Sequence, residues 1–421
     1  MDDLFSTLES RGYVYQCTNL ERLKGLLNGG GRLTFYLGID PTADSLHIGH
    51  FCALTMFRYL QDAGHRGILL IGGATAMVGD PTGKSDMRNM LTKEQVRSNY
   101  LEVKSLAERF VRTDGDNPAI VVNNADWTDG FSYVEFLRMV GVHFNVNVML
   151  AADVYANRIK EGGLTFLEMG YMLMQAYDFV HLNKEYGCVL QIAGSDQWGN
   201  LVAGTSLYRK MRFAEGAERA EGPAGIDGAD EVYGLTCPLL LTKDGVKMGK
   251  TESGTLWVAR DRTTAYDFHQ YFYNVGDAEV PILLRFFTRI PVPEIEAMCS
   301  GDIIGAKKVM AERITALVHG EEETAKVLSA VRSLFGGEED GRDAPESDYV
   351  VGAGTISVVD LFVLSGFVPS RSELRRLVAQ GGVAVDGRRC ASPDEMVARP
   401  EGGGSVLLKK GKKSFLKVRF G

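Results

Sequence analysis

Apolar positions fall into two periods along the chain. Residues 33–37, 67–71, 119–122, 188–193 and 234–241 are short apolar runs that read as buried strands. Between them, residues 51–60 have the apolar spacing of a helix. Residues 92–110 read as a charged surface helix, with Thr92 and Gln95 as its capping box. Residues 165–182 read as a strongly apolar helix with a polar stripe, because Tyr171, Gln175 and Asp178 at i, i+4 and i+7 share one face. Such a stripe faces either solvent or a polar pocket, and the apolar residues on every other side favour the pocket. Residues 4–27 alternate helical spacing with turns, and residues 263–334 are helical throughout.

Three of the strands run into a turn and then a helix, at residues 36–50, 72–85 and 194–200. Corners of this kind predict an α/β fold with a doubly wound, Rossmann-like parallel sheet and a ligand site along its carboxyl edge. Helix N-termini at such corners offer free N–H groups to an anion, and phosphate is the obvious candidate. The expected organisation is a catalytic domain over 1–240 and a cationic loop with a helical domain over 241–335. Residues 336–354, acidic and Gly-rich, read as a flexible linker, and 355–421 as a small α+β module. Within the first domain, residues 130–165 are aromatic and apolar enough (Phe131, Tyr133, Phe136, Phe144, Tyr155) to cover a second subunit.

Composition adds bounds. With 421 residues, 45% apolar and 24% charged, the chain can bury several cores. No run approaches the roughly 18 apolar residues of a membrane span, and the acidic start is unlike a signal peptide, so a soluble cytoplasmic protein is expected. Six cysteines without any Cys-x-x-Cys pair predict free thiols rather than a zinc ribbon. The net charge of −8 is uneven. From Gly352 onward there are 12 Lys and Arg against 6 Asp and Glu, so that tail is positive and the remainder strongly acidic. In the tail, Ser370 and Glu373 cap a helix with Arg371, Arg375 and Arg376. Hairpins follow at Asp386-Gly387 and around Lys409-Lys410-Gly411-Lys412-Lys413, which together make an RNA-type footprint.

The second corner resembles a P-loop but fails by one residue. Ahead of Gly83-Lys84-Ser85 the spacing requires glycine at position 78, where Val78 stands, so a P-loop kinase is disfavoured. The first corner carries His47-Ile48-Gly49-His50, and the cationic loop carries Lys247-Met248-Gly249-Lys250-Thr251. The two histidines lack a third ligand in their corner, which argues against a metal. The first tetrad matches the HIGH signature of class I aminoacyl-tRNA synthetases, and the pentad resembles their second signature, Lys-Met-Ser-Lys-Ser. In this order, with Gly194-Ser195-Asp196-Gln197-Trp198-Gly199-Asn200 between them, they resemble the bacterial tyrosyl-tRNA synthetases over essentially the whole chain.

That resemblance implies tyrosine activation by ATP, with Mg²⁺ accompanying the nucleotide and no structural metal, then transfer to tRNA(Tyr) by a homodimer. It implies that Thr42 and His47 hold the γ-phosphate, that His50 meets the nucleotide, and that Lys84, Arg88, Lys247, Lys250 and Thr251 close over pyrophosphate. Tyr36 and Asp178 would read the phenol, Asp80, Tyr171 and Gln175 the ammonium, and Gln197 the carboxylate side. Gly38, Asp40, Gly49, Gly194 and Asp196 would line the nucleotide, with Gly194 and Asp196 at the ribose, and the tail would bind RNA. The chemistry suits these residue types, since in-line attack of a carboxylate on the α-phosphate needs positioning and charge stabilisation more than acid or base. Leu37 stands where some relatives carry cysteine, and Gly249 and Thr251 replace the two serines of the second signature. A tryptophan-specific relative and an inactive RNA-binding descendant are the rivals. Tyr36 with Asp178 speaks against the first, and the intact first signature against the second.

Overall fold

In the computed structural model, residues 3–82, 90–214, 231–241, 245, 247–251, 254–335, 346–352, 354–400, 404–411 and 414–420 are described. The chain forms two compact units, residues 1–263 with 272–313, and residues 264–271 with 314–421.

The first unit is built on six strands: β1 (Gln16–Cys17), β2 (Thr34–Ile39), β3 (Arg66–Ile71), β4 (Ile120–Asn123), β5 (Cys188–Gly194) and β6 (Tyr233–Cys237), in the order β1-β6-β5-β2-β3-β4. All neighbours are parallel except β1 with β6. Sheets of this kind are covered on both faces, which explains why β3 and β5 read as continuous apolar runs rather than alternating ones. The order reverses between β2 and β5, and ligands bind outside the carboxyl ends of the strands at such a switch point.

Helices α1 (Leu4–Ser10) and α2 (Leu20–Asn28) precede β2, and α3 (Phe51–Asp62) joins β2 to β3. After β3 come a short turn of helix, α4 (Thr75–Val78), and the surface helix α5 (Lys93–Ala107), which carries the expected box between Thr92 and Gln95. Short helices α6 (Ala125–Thr128), α7 (Tyr133–Met139), α8 (Val146–Ala151) and α9 (Asp153–Glu161) follow β4. The long α10 (Phe166–Tyr186) is closed at one end by a Thr165/Glu168 box and at the other by Gly187 in the left-handed region, φ 65°. It runs one turn beyond the expected 165–182. Helix α11 (Trp198–Ala214) lies between β5 and β6. Two-residue strands β7 (Lys250–Thr251) and β8 (Gly254–Thr255) form a hairpin. Among the described residues no helix is long and apolar enough to cross a membrane.

In the second unit, residues of α12 (Ala265–Tyr273) pack with Val327 and Ala330. The remaining helices are α13 (Val280–Phe287), α14 (Val292–Gly301), α15 (Ile303–His319) and α16 (Glu321–Phe335), of which α13, α14 and α15 as far as Arg313 belong to the first unit. Beyond them α17 (Val358–Leu364) and α18 (Arg371–Ala379) share a core with a five-stranded sheet. That sheet includes the two expected hairpins, one turning at Asp386 and Gly387 with φ of 46° and 77° as a two-residue turn of this hand requires. The other runs from Gly404–Lys410 to Ser414–Phe420.

One expectation is corrected here. Residues 346–351, assigned to the linker, form a strand that pairs in parallel with Ser414–Phe420. Val351 is buried among Val418, Phe420 and Val359, so the apolar end of this acidic segment is what recruits it to the sheet. Residues 336–345 lie outside the described residues.

Candidate active site

The corner after β2 is shaped by local hydrogen bonds. His47 Nδ1 accepts from the Gly49 N–H at 3.1 Å and His50 Nδ1 accepts from the His47 N–H at 3.2 Å, around a single tight turn, Ile48–His50. Each neutral ring therefore carries its hydrogen on Nε2. The rings stack 4.0 Å apart. Desolvation holds the His50 imidazole well below its ordinary pKa, and neighbouring His47 adds to this, so His50 is a neutral donor at pH 7. A Cβ on Gly49 would lie 2.8 Å from the His47 ring, which is why no side chain fits there.

Residues 247–249 and 254–259 return to this corner. The Ile48 N–H donates to Leu256 O, Val258 N–H donates to Leu46 O, and His47 bridges Trp257. Gly249 adopts φ +86°, and a Cβ there would fall 2.2 Å from Ile48 Cγ2. Glycine at this point of the second signature thus permits the close approach of its backbone to the histidine corner. Lys247 Nζ donates to Asp196 Oδ2 at 3.0 Å.

These segments line a cavity of about 590 Å³. Its wall includes Tyr36, Gly38, Asp40, Thr42, His47, Gly49, His50, Asp80, Tyr171, Gln175, Asp178, Gly194, Asp196, Gln197 and Lys247, so the structure brings together the sequence-selected residues from separated stretches of the chain. Lys84 and Arg88 lie outside the described residues, as do the side chains of Lys250 and Thr251.

Tyr36, at the centre of β2, is 1% exposed, and its hydroxyl has no hydrogen-bond partner among the described residues. Burial, reinforced by Asp178, raises its pKa well above the ordinary value, so it stays a hydroxyl. Asp178 is 2% exposed and accepts from Trp127 Nε1 at 2.9 Å and Asn124 Nδ2 at 3.0 Å. Burial pushes its pKa up to about 7; the two donors oppose that rise and Asp40 adds to it. Gln175 Oε1 and Gln191 Oε1 are further buried cavity atoms without a partner among the described residues. Unpaired buried polar atoms cost stability, and several in one cavity mark a surface built for a polar ligand.

Other side chains hold one another. Tyr171 donates to Asp40 Oδ2 at 2.8 Å, Thr75 donates to Asp40 Oδ1 at 2.6 Å, and Gln197 donates to Asp80 Oδ2 at 2.6 Å. Sequence reasoning missed Thr75, Asn124, Trp127 and Gln191. For Gln191 a signal existed, a lone amide inside an apolar strand run. For Asn124 and Trp127 only their place after β4 could have suggested it. Among the described residues no group of three or more His, Cys, Asp or Glu is placed to hold a metal ion.

The chain is similar to known proteins along its length. Residues 28–336 match the family model for class I tRNA synthetases of the tryptophan and tyrosine group, and residues 359–400 match the S4 domain. The chain is 43% identical to the tyrosine–tRNA ligase of Acetivibrio thermocellus and 44% to that of Clostridium beijerinckii, in each case over the full length of both chains. Among solved structures, the C-terminally truncated mitochondrial tyrosyl-tRNA synthetase of Aspergillus nidulans superposes with a TM-score of 0.69 at 29% identity, covering 80% of this chain and 95% of that one.

Proposed function

Because the chain belongs to the tyrosine–tRNA ligases of the class I tRNA synthetases, we propose that the cavity between the histidine corner and α10 is where tyrosine and ATP react. The enzyme activates L-tyrosine with ATP to tyrosyl adenylate, releasing pyrophosphate, and transfers tyrosine to the 3′ end of its tRNA.

One observation carries the orientation of the substrate. The Tyr36 hydroxyl is buried and unpartnered, and Asp178 is held by Trp127 and Asn124 at the same cavity wall. A phenol placed between them satisfies Tyr36 and donates to Asp178. A bare phenyl ring leaves the Tyr36 hydroxyl unpaired and gives Asp178 no donor from the ligand, and such sites reject the hydroxyl-less analogue strongly; tyrosine against phenylalanine is the general case in point, with rejection of about 10⁵. In this orientation the ammonium meets Tyr171, Gln175 and Asp80, and the carboxylate lies toward Gln197. Tyr171, having given its hydrogen to Asp40, offers lone pairs to an ammonium.

ATP then enters at the switch point. Gly38, Gly49, Gly194 and Asp40 line its path, Asp196 takes the ribose, and Thr42 with His47 takes the γ-phosphate. The Nε2 hydrogens of His47 and His50 supply donors as charge passes to pyrophosphate. Lys84, Arg88, Lys247, Lys250 and Thr251 are assigned to the leaving pyrophosphate, with Mg²⁺ arriving on the nucleotide. Two chains pair through residues 130–165, where Tyr133, Val142 and Val148 are 64%, 71% and 70% exposed. In this assignment residues 1–240 with the loop around Lys247 bind both small substrates, and the S4 module, with residues 346–351 as one of its strands, binds tRNA.

Tyrosine-dependent ATP–pyrophosphate exchange is the test. Its presence with tyrosine and its absence with tryptophan are expected; no exchange from folded protein would refute the assignment.

A further inference from the structure

Thr75 opens α4, 2% exposed, between the ends of β3 and β4. The Ala74 N–H donates to Asn124 Oδ1 at 2.8 Å, and since a backbone N–H can only donate, the orientation of the Asn124 amide is fixed. Its Nδ2 therefore faces both Asp178 Oδ2 and Thr75 Oγ1, each at 3.0 Å. Thr75 must accept from Asn124, which directs its single hydrogen to Asp40 Oδ1. Asp40 accepts from Tyr171 on its other oxygen. The sequence leaves room for this junction at Gly72, where a Cβ would stand 2.1 Å from Asp40 Oδ1 and 2.2 Å from Thr75 Oγ1.

We propose that Thr75 is a positioning residue that couples the two ends of the tyrosine subsite, Tyr171 and Asp178, through a continuous chain of hydrogen bonds in which every donor and acceptor is fixed. The coupling rests on the tyrosine orientation proposed above. Tyr171 and Asp178 share α10, but the helix alone fixes only their spacing. The path through Asp40, Thr75 and Asn124 runs along the ends of β2, β3 and β4 and fixes which lone pairs each presents to the cavity. Breaking it at Thr75 takes one donor from Asp40, leaves an Asn124 hydrogen without its acceptor, and lets the Asp178 carboxylate turn.

The test is discrimination between tyrosine and phenylalanine, as the ratio of kcat/KM in pyrophosphate exchange, for the full-length enzyme. Thr75→Val is expected to lower this ratio about tenfold while Thr75→Ser stays within about twofold. Tyr171→Phe is expected to lower it in the wild-type background, and to lower it no further in the Thr75→Val background. Urea midpoints confirm that the variants are folded, and Thr75→Cys serves if Thr75→Val is not, with the same expectations. Unchanged discrimination in Thr75→Val, or an equal effect of Tyr171→Phe in both backgrounds, overturns the coupling. Absence of tyrosine exchange in the unmodified enzyme overturns the function itself, and the coupling with it.

Discussion

Lys247 reaches across the cavity to Asp196, its ammonium 3.0 Å from the carboxylate. The cation assigned to pyrophosphate thus rests on the acid assigned to the ribose, so a nucleotide must separate them. Lys247→Ala is expected to lower kcat for exchange by about 10²-fold, as loss of a transition-state charge partner does, with little change in the KM for tyrosine. Asp196→Asn is expected to raise the KM for ATP instead. Steady-state exchange kinetics over both substrates separate the two effects.

Tyr36→Phe sets stability against function. The hydroxyl is buried without a partner among the described residues, so removing it is expected to leave the thermal midpoint unchanged or slightly raised. The KM for tyrosine is expected to rise about tenfold, the cost of one lost hydrogen bond. A fall in the midpoint of several degrees would show that the hydroxyl already has a structural partner.

Asp178 predicts a pH dependence. Its pKa rises from 3.8 to about 7 on folding, so between those two values the folded enzyme holds a proton there that the unfolded chain has lost. The stabilisation this gives is complete below the unfolded value and is lost as pH rises through about 7, each tenfold gain in proton affinity being worth roughly 1.4 kcal/mol. In urea titrations at several pH values, the stability difference between wild type and Asp178→Asn is therefore expected to shrink or reverse between about pH 4 and 7. A difference independent of pH would place the titration elsewhere.

Where α10 begins, Arg158 and Glu168 form a buried pair, 6% and 5% exposed, with Nε and Oε1 2.9 Å apart. Arg158→Met leaves a buried carboxylate without its cation and is expected to cost about 3–5 kcal/mol. Arg158→Met combined with Glu168→Gln should recover much of that, because the amide still accepts from Thr165. Denaturant midpoints of the single and double variants measure the recovery.

The contrast between Tyr171, Gln175 and Asp178 on one side and Thr75, Asn124 and Trp127 on the other shows what the sequence could disclose. The first three share a helix, so spacing alone places them on one face. The histidine corner and the cationic loop were legible as local motifs. Thr75 and Asn124 meet only because β3 and β4 are neighbours, a pairing 49 residues apart that no local period records. Similarly, residues 346–351 begin acidic and look like linker until Ser414–Phe420 supplies a partner strand. Local chemistry was readable, and contacts made by sheet order were not.

The bridge between His47 and Trp257 has a further consequence for how the enzyme comes into being. During vectorial synthesis the histidine corner leaves the ribosome some two hundred residues ahead of the segment that backs it. No nascent chain shorter than that can complete the active site, and closing so long a loop is slow. Truncated translation products would therefore be inert, so a cell would gain no tyrosine activation from an unfinished copy of an enzyme on which translation itself depends.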